Sequence, residues 1–303
     1  MKDVVNNYYD EIKNELITNE VYKKVKDYSK NRNELSTYYN VGKLLSKAGK
    51  KYGEKIIDNY SKKLVVEVGK KYNKRTLFRM RQFYKLIEEQ KVSPLATQLT
   101  WSHYCELLPL KDTNEINYYI KITTDQCLSK RQLREKIKNK EYQRLDDNTK
   151  LKLINKEEMS IGDTIKNPII IKNKLGIDKE NISEKILQRL ILEDIPSFLK
   201  ELGEGYSFIE NEYKIKINNT YNYIDLLLFN YIYNSFVVVE LKVTEVKKEH
   251  IGQVEVYMNY IDKHIKGITN NKTIGIIVAR RDNHYYIEYS SDKRIYTRDY
   301  EIV

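Results

Sequence analysis

The spacing of apolar and polar residues changes near the middle of the 303-residue chain. In the first half, apolar residues and tyrosines recur every three to four positions, which is typical of helices that pack through one face. This period predicts helices over residues 21–49, 55–68, 76–89, 101–108, 115–122 and 131–144, and Ser93-Pro94 predicts the start of another. The first half is therefore predicted to be all-helical, and a helix-turn-helix arrangement is one option for it.

A different pattern follows residue 150. Residues 151–175 lose the helical period and include Asn167-Pro168, so they predict a linker between domains of residues 1–150 and 176–303. A helix over residues 182–202, ended by Gly203, then gives way to a period of two. That period predicts strands over residues 206–217, 221–229, 236–243, 273–279 and 285–289, with a helix over residues 249–263 after the third strand. The chain is thus predicted to be α+β with two domains.

The net charge of +11 is not shared between the two halves. Residues 1–150 contain 32 lysines and arginines against 20 acidic residues, whereas residues 151–303 contain 22 against 23. A local basic excess attracts polyanions because binding releases their counterions, and it favours nucleic acid as the partner. The alternative is that a lysine-rich surface serves solubility alone.

The predicted helix over residues 76–89 combines an apolar stripe with a basic polar face. Its stripe consists of Leu77, Met80, Tyr84 and Ile87. The residues predicted to contact nucleic acid are Arg75, Arg79, Arg81, Gln82 and Lys85. Such a helix can pack against its domain through one side and hold phosphate groups with the other.

The sequence also excludes several classes of protein. Its longest apolar runs are far shorter than the roughly 20 residues that a membrane span needs, and its first residues include acids where a signal peptide has an apolar segment. Two cysteines, Cys105 and Cys127, cannot build a disulfide framework. No glycine-rich phosphate-binding loop is visible. We therefore expect a cytoplasmic protein without membrane attachment.

Three charged residues interrupt two strands that are otherwise apolar on both faces. Asp225 begins one apolar run, while Glu240 and Lys242 follow the other. A short turn centred between Ile232 and Tyr233 pairs residues whose numbers sum to 465, which sets Asp225 opposite Glu240. Side chains alternate along a strand, so Lys242 lies on the same face as Glu240. The pattern predicts two neighbouring carboxylates with an ammonium group beside them.

Such charges need compensation, because an unpaired charge among apolar neighbours costs several kcal/mol. A structural ion pair of Lys242 with Glu240 or Asp225 is one explanation. The other is a site in which Asp225, Glu240 and the Leu241 carbonyl hold Mg²⁺, or Mn²⁺ in its place. Lys242 would then orient or deprotonate the attacking water and stabilise the charged transition state. This second explanation predicts metal-assisted hydrolysis of a phosphodiester.

The same residues carry a family resemblance. The D-x14-E-L-K spacing across a hairpin resembles the PD-(D/E)XK nuclease superfamily, and Gln253-x3-Tyr257 is similar to a motif of its RecB-like members. Further segments resemble the bacterial YhcG-like family, in which a helical domain of uncertain function precedes a PD-(D/E)XK nuclease domain: Gly42-Lys43, Tyr52-Gly53, residues 76–84 (TLFRMRQFY), 99–103 (LTWSH) and 198–203 (FLKELG). The resemblance extends from about residue 28 to residue 289.

The resemblance implies a Mg²⁺-dependent deoxyribonuclease whose C-terminal domain is a restriction-endonuclease-like α/β fold with a mixed central sheet. The implied catalytic residues are Asp225, Glu240, Lys242 and Gln253. Gln253 would orient Lys242 or a DNA phosphate. A glutamate from the first helix of this domain often completes such sites, and Glu184 is the first candidate, with Glu193 and Glu201 as competitors.

DNA is the implied substrate and partner, and a homodimer would supply the two sites that cutting a duplex requires. The alternative is a non-catalytic protein that binds nucleic acid or recruits partners on a nuclease scaffold. The set of Asp225, Glu240 and Lys242 favours the enzyme, since a retired site has no reason to keep three buried charges. One departure from the superfamily pattern is Ile224, which stands where many members have proline.

Overall fold

A computed structural model describes residues 2–24, 30–53, 55–90, 99–155, 157–178, 182–281 and 292–303. The chain divides into two compact units, Met1–Tyr142 and Gln143–Val303. The N-terminal unit is helical, and the C-terminal unit contains a six-stranded sheet. Within these described residues, no helix combines the length and the apolar character that crossing a membrane requires.

The described part of the N-terminal unit contains seven helices. They are α1 (Lys2–Lys24), α2 (Lys30–Tyr52), α3 (Lys55–Glu67), α4 (Lys74–Gln90), α5 (Trp101–Leu107), α6 (Thr113–Asp125) and α7 (Lys130–Lys138). The helix predicted over residues 21–49 is instead the end of α1 and most of α2. α1 was not predicted, although Tyr9, Ile12 and Leu16 are buried at helical spacing. The helix start predicted at Ser93-Pro94 lies outside the described residues.

Helix α7 is shorter than the predicted helix over residues 131–144. Lys140 has φ 51°, and the Glu141 N–H donates to the Lys136 carbonyl, so the chain leaves the helix in a left-handed C-terminal turn. The sequence gives little warning of this end because lysine, unlike glycine, rarely adopts such a backbone conformation.

Helices α2 and α4 approach each other closely at Gly42. A Cβ atom on Gly42 would lie 2.2 Å from the Met80 carbonyl oxygen, so only glycine permits this approach. Leu77, Met80 and Phe83 are fully buried on α4, and the Phe83 ring packs 4.7 Å from that of Tyr104. This packing fixes which face of α4 points away from the core.

The C-terminal unit contains five described helices and six described strands. The helices are α8 (Asp147–Asn155), α9 (Ile161–Thr164), α10 (Glu184–Glu193), α11 (Ile195–Leu202) and α12 (Lys248–His264). The strands are β1 (Ile169–Ile171), β2 (Tyr206–Ile217), β3 (Thr220–Asn230), β4 (Ser235–Glu245), β5 (Ile274–Arg281) and β6 (Ile295–Ile302). Their order in the sheet is β1-β6-β5-β4-β3-β2. β2, β3 and β4 pair antiparallel, while β4, β5, β6 and β1 pair parallel, so the sheet is mixed as predicted.

The main departures from the predicted elements lie at the ends of this unit. Residues 151–175, predicted as a linker, include the end of α8, α9 and β1, and β1 joins the sheet beside β6. Three residues of strand are too few to produce a recognisable period of two. The strand predicted over residues 285–289 lies outside the described residues, and β6 was not predicted.

The helix predicted over residues 182–202 is two helices. α10 ends at Glu193 and α11 begins at Ile195, with Pro196 in its first turn. Proline lacks a backbone N–H and fits best at the start of a helix, which explains the break. Gly203 ends α11, as predicted, with φ 121°.

Apolar clusters cover both faces of the sheet. α10 and α11 pack on one face with Leu226, Leu228 and Leu241, whereas α12 packs on the other with Leu227 and Val238. The backbone of Gly275 on β5 lets α12 approach, since a Cβ atom there would lie 2.4 Å from a methyl carbon of Val254. The central strands are therefore covered by helices on both sides, which explains their continuous apolar runs.

Candidate active site

The hairpin β3–β4 sets the register of the predicted site. Leu226 pairs with Val239 and the ladder continues to Asn230 with Ser235, so paired numbers sum to 465 as predicted. The Asn230 side chain shapes the turn, because its Oδ1 accepts hydrogen bonds from the backbone N–H groups of Ile232 and Tyr233. The register prediction is confirmed.

Asp225 lies where this ladder ends, and two hydrogen bonds fix its position. The Leu241 N–H donates to Asp225 Oδ2 at 2.7 Å. From α10, Gln188 Nε2 donates to the Asp225 carbonyl at 3.1 Å. The side chain and the backbone of Asp225 are thus held by different elements, β4 and α10.

Lys242 lies between two glutamates. Its Nζ donates to Glu240 Oε1 at 2.9 Å and contacts Glu184 Oε2 at 3.4 Å. Glu240 is 2% exposed, while Glu184 is exposed at the start of α10. The ammonium group therefore links a buried carboxylate of the sheet to a solvent-facing carboxylate of the helix.

The site carries more negative charge than its ammonium group balances. Burial raises the pKa of Glu240 to about 7, and the charge of Asp225 acts in the same direction, against the hydrogen bond from Lys242. Burial also raises the pKa of Asp225, although the Leu241 N–H opposes this. For Lys242, burial lowers the pKa of the ammonium group, but the hydrogen bond and charge of Glu240 outweigh it and the net pKa is raised. Such a site favours an additional cation.

The three glutamates considered for the helix contribution have different surroundings. Ser183 caps α10 by accepting a hydrogen bond from the Ile186 N–H, and Glu184 is the first helical residue. Glu193 is exposed at the far end of α10, about 13 Å along the helix from Glu184. Glu201, on α11, pairs with Arg144 and accepts from the Ile170 N–H. The structure brings Glu184, and neither competitor, to Lys242.

Gln253 lies on α12, the helix that covers one face of the sheet. Its Nε2 donates to the hydroxyl of Tyr257 at 2.9 Å. Burial raises the pKa of Tyr257, this bond from Gln253 lowers it, and the charges of Glu240 and Asp225 raise it. Tyr257 is therefore close enough to sense both carboxylates. The contact seen for Gln253 is Tyr257 rather than the predicted Lys242, and its role toward a phosphate stays a prediction.

Gln188 is the residue at this site that sequence reasoning missed. It is 8% exposed and lies one helical turn after Glu184, among the buried residues Leu187 and Ile191 of α10. A buried polar side chain within an apolar stripe usually has a specific hydrogen-bond partner. A glutamine within the apolar stripe of α10 was therefore the feature of the sequence that could have pointed to this contact.

The donor groups suit a divalent cation. Glu240 Oε2 is buried and has no hydrogen-bond partner among the described residues, and an unfilled buried acceptor of this kind is costly. Carboxylate oxygens are the donors that Mg²⁺ prefers, and Mg²⁺ usually keeps several waters of its own. No group of three or more His, Cys, Asp or Glu within the described ranges could hold a metal ion. The fit is therefore that of a site with two carboxylates, completed by backbone oxygen and water.

The residues predicted to contact nucleic acid lie on or next to α4, in the N-terminal unit. Arg75, Gln82 and Lys85 are exposed, and Arg79 is half-buried. The guanidinium of Arg81 stacks 4.8 Å from the centre of the Phe78 ring. Arg81 therefore packs against its own helix, whereas the polar groups of the other four predicted residues reach the surface of α4.

Two family models match this chain. The model described as YhcG PDDEXK nuclease domain matches residues 162–302, and the model described as DUF1016 N-terminal domain matches residues 14–144. The C-terminal unit is therefore a nuclease domain of the PDDEXK class, a class of hydrolases that generally uses divalent metal ions. With both models matched in this order, the chain belongs to the YhcG-like family.

Individual proteins show more distant similarity. The chain is 24% identical over 286 residues to "Putative nuclease YhcG" of Escherichia coli (strain K12), covering 80% of this chain and 76% of that protein. A repair endonuclease from Pyrococcus abyssi superposes with a TM-score of 0.29 at 18% identity, over 41% of this chain and 49% of the other. The structure of an EndoMS complex with double-stranded DNA superposes with a TM-score of 0.30 at 19% identity, over 41% of this chain and 48% of the EndoMS chain. The chain spans about half the length of these two endonuclease chains.

Proposed function

We propose that this protein is a Mg²⁺-dependent nuclease that cleaves DNA in an active site formed by Asp225, Glu240 and Lys242. Mn²⁺ can replace Mg²⁺ in this proposal. The observation that carries the proposal is the buried Glu240 Oε2, which has no described partner although it lies beside Lys242 and Asp225. The ion pair with Lys242 uses Oε1 alone and leaves this buried oxygen unsatisfied, which is costly. A bound divalent cation gives this oxygen a partner.

Each side chain has a separate task in this proposal. Asp225 and Glu240 hold the divalent cation, with the Leu241 carbonyl, and the bound cation stabilises negative charge on the phosphate. Lys242 keeps its ammonium charge, since the net pKa of Lys242 is raised, and it offers this charge to the developing phosphorane. Glu184 accepts from Lys242 at the exposed side of the site and so orients the ammonium group toward solvent and substrate.

The basic N-terminal unit supplies the affinity for DNA in this proposal. It contains 30 basic and 18 acidic residues, and the exposed face of α4 offers Arg75, Arg79 and Lys85 to phosphates. Gln82 would add a hydrogen bond, while Arg81 contributes its charge from beside Phe78. A protein that only recruits partners on a nuclease scaffold would need no divalent-cation site.

A cleavage assay tests the proposal. Full-length protein should cut linear, circular, branched or single-stranded DNA in Mg²⁺ or Mn²⁺ and not in chelator, with RNA as the comparison substrate. Asp225→Ala and Glu240→Ala should each abolish cutting and remove Mn²⁺ binding measured by calorimetry, with folding retained. The exposed Glu193→Ala serves as the control. Undiminished Mn²⁺ binding in both site variants contradicts the assignment.

We also propose a homodimer, because cutting both strands of a duplex requires two sites or two binding events. Light scattering coupled to size exclusion, on the full chain with and without DNA, measures the mass. A monomer under both conditions that still makes double-strand breaks contradicts this part of the proposal.

A further inference from the structure

The outer part of the hairpin β2–β3 carries an exposed group of lysines and tyrosines outside the site described above. β2 is one of the two edge strands of the described sheet, and it pairs with β3 so that Lys214 lies opposite Tyr223 and Lys216 opposite Tyr221. Tyr221 is 54% exposed and Tyr223 is 51% exposed, and both lysines are exposed as well. We call these four residues the hairpin patch.

The four side chains form one surface. Residues paired across a ladder project to the same face, and the Lys214 Nζ lies 3.9 Å from the centre of the Tyr221 ring, with the Lys216 Nζ at 5.9 Å. The other face of the hairpin belongs to the core, where Ile215 and Ile224 pack with α12. Exposed tyrosines are therefore not required to close the fold at this position.

The chemistry of the hairpin patch matches one class of ligand. Aromatic rings beside cationic side chains accept the bases and the phosphates of a single nucleic-acid strand, because every base has a face that can stack. Neither Lys214 nor Lys216 forms an ion pair with a residue in the described ranges, so both ammonium groups are available to phosphates. The faces of the bases in a duplex are already stacked on one another and are not available to the rings.

Positive charge continues beyond the hairpin on the neighbouring helix. The Tyr260 hydroxyl accepts a hydrogen bond from the Lys216 N–H at 3.5 Å, which places the end of α12 next to β2. The last turn of α12 contains the exposed Lys263. Glu212, in contrast, precedes Lys214 on β2 and its charge acts on Asp225, so the positive region lies on the side of Glu212 toward the β2–β3 turn.

The distance to the candidate active site suits a substrate strand. Tyr223 and Tyr221 precede Asp225 by two and four residues on β3, or about 7 and 14 Å at roughly 3.4 Å per residue. Nucleotides along a stacked strand are also about 3.4 Å apart. The rings therefore lie about two to four nucleotides from a phosphodiester bound at Asp225.

We propose that the hairpin patch binds an unpaired stretch of the nucleic acid next to the bond that is cut. Bases stack on Tyr221 and Tyr223, and the adjoining phosphates contact Lys214 and Lys216. This inference rests on the proposed nuclease function and specifies its substrate as nucleic acid that is single-stranded beside the cleavage position, in place of continuous duplex.

Binding in chelator tests the inference without any cleavage. The probes are a fluorescein-labelled oligothymidylate of about 20 nucleotides and a duplex of the same length, each measured by anisotropy with the full-length protein. Tyr221→Ala with Tyr223→Ala should weaken oligothymidylate binding at least about tenfold, while the paired Phe variants keep wild-type affinity. Lys214→Gln with Lys216→Gln should reduce the magnitude of the salt slope by about 1.4. Tyr231→Ala, at a 66% exposed tyrosine in the β3–β4 turn, is the control.

Three results overturn the inference. They are unchanged oligothymidylate affinity in the folded Ala pair, equal losses for oligothymidylate and duplex, or an equal loss in Tyr231→Ala. If the Ala pair melts below the assay temperature, the lysine pair gives the decision, since it keeps both rings. A wild-type protein that cuts no substrate contradicts the proposed nuclease function, whereas cutting of flapped DNA at wild-type rate by both pairs contradicts only the hairpin patch.

Discussion

The N-terminal unit carries its basic charges on the surface, whereas the C-terminal unit carries the charges of the candidate active site within the fold. Met1–Tyr142 contains 30 basic residues and 18 acidic residues, and Arg75 and Lys85 on α4 are exposed. In Gln143–Val303 the totals are 24 and 25, and the charges that define the site lie within the fold: Glu240 is buried, and Asp225 and Lys242 are half-buried. Exposed charges act through their sum and are screened by salt, whereas each buried charge acts through its identity and position. Substitutions should therefore have graded effects in one unit and large effects in the other.

The largest effect is expected from Lys242→Met. This change keeps the length of the side chain but removes the ammonium group between Glu240 and Glu184. DNA cleavage under single-turnover conditions should fall at least about 100-fold, the typical cost of losing one group that stabilises transition-state charge. DNA affinity should change less than about threefold, because one lysine contributes little to the total charge.

Lys248→Met provides the matched control, since Lys248 is exposed in the first turn of α12. It removes the same charge from the same unit and should leave the cleavage rate within about twofold. Equal losses in the two variants would mean that total charge, and not the position of Lys242, controls cleavage.

The second effect concerns Gln188, which we regard as a positioning residue. Gln188→Leu fits the apolar stripe of α10 but removes the donor to the Asp225 carbonyl. Residues that hold a metal ligand in place typically change metal affinity by about 10–100-fold, so the Kd for Mn²⁺ should rise about tenfold. Calorimetry on the full chain measures this shift.

A structural role alone would appear differently. Arg189→Leu, on the exposed side of the same helix, is the control for a new leucine on α10. If Gln188→Leu lowers the melting temperature but binds Mn²⁺ like the control, Gln188 stabilises the fold without positioning Asp225.

Sequence reasoning predicted the central hairpin of the sheet well, for a physical reason. Its strands are long and apolar, with leucines in β3 and valines in β4, and its turn is short, so one register alone keeps the apolar residues paired. The spacing of Asp225 and Glu240 followed directly from that register. The elements that were missed are short or interrupted: β1 has three residues, and Pro196 divides α10 from α11.

The neighbours of the site could be predicted only in part. Glu184 was the first candidate because it precedes the apolar stripe at the start of its helix, but Glu193 and Glu201 competed with it until the fold assigned Glu201 to Arg144. Gln188 contacts a backbone carbonyl 37 residues away, and such a contact leaves no periodic signal in the chain. Long-range pairing of this kind depends on how two elements pack, which local sequence does not encode.

A smaller effect is expected from Arg79→Ala combined with Lys85→Ala. Both residues lie on α4 outside its buried stripe, so folding should be unaffected, within roughly 0.5 kcal/mol. Each lost phosphate contact lowers the magnitude of the salt slope of duplex binding by about one, which gives about two for the pair. Titrations at several salt concentrations measure the slope.

The control for this pair removes the same charge elsewhere in the N-terminal unit. Lys111→Ala with Lys121→Ala changes two exposed lysines before and within α6. If both pairs lower the slope equally, DNA senses the summed charge of the unit and α4 has no special role. An unchanged slope in the α4 pair directs the search to Lys62, Lys63, Lys70 and Lys71.

The last effect concerns stability and its dependence on pH. Because the pKa of Glu240 is raised from 4.5 to about 7, the folded state binds a proton more tightly than the unfolded state. This contribution to stability is fully present below pH 4.5 and is lost as the pH rises through about 7. Glu240→Gln, which keeps an acceptor for Lys242, should therefore be more stable than wild type at pH 8 by about 1–3 kcal/mol in chelator, with equal stability near pH 4.

Divalent cations separate this electrostatic cost from other effects of the substitution. Mn²⁺ should stabilise wild type at pH 8, because it binds the ionised carboxylates of the folded state, and should not stabilise Glu240→Gln. Denaturant unfolding at pH 4 and pH 8, with and without Mn²⁺, measures all four conditions. Glu193→Gln, at an exposed glutamate, should follow wild type in each of them. If Glu240→Gln is instead less stable than wild type at pH 8, the ion pair with Lys242 outweighs the repulsion from Asp225. The charges of the site would then stabilise the fold. They would differ from the basic residues of α4 only in where they lie, within the fold instead of on its surface.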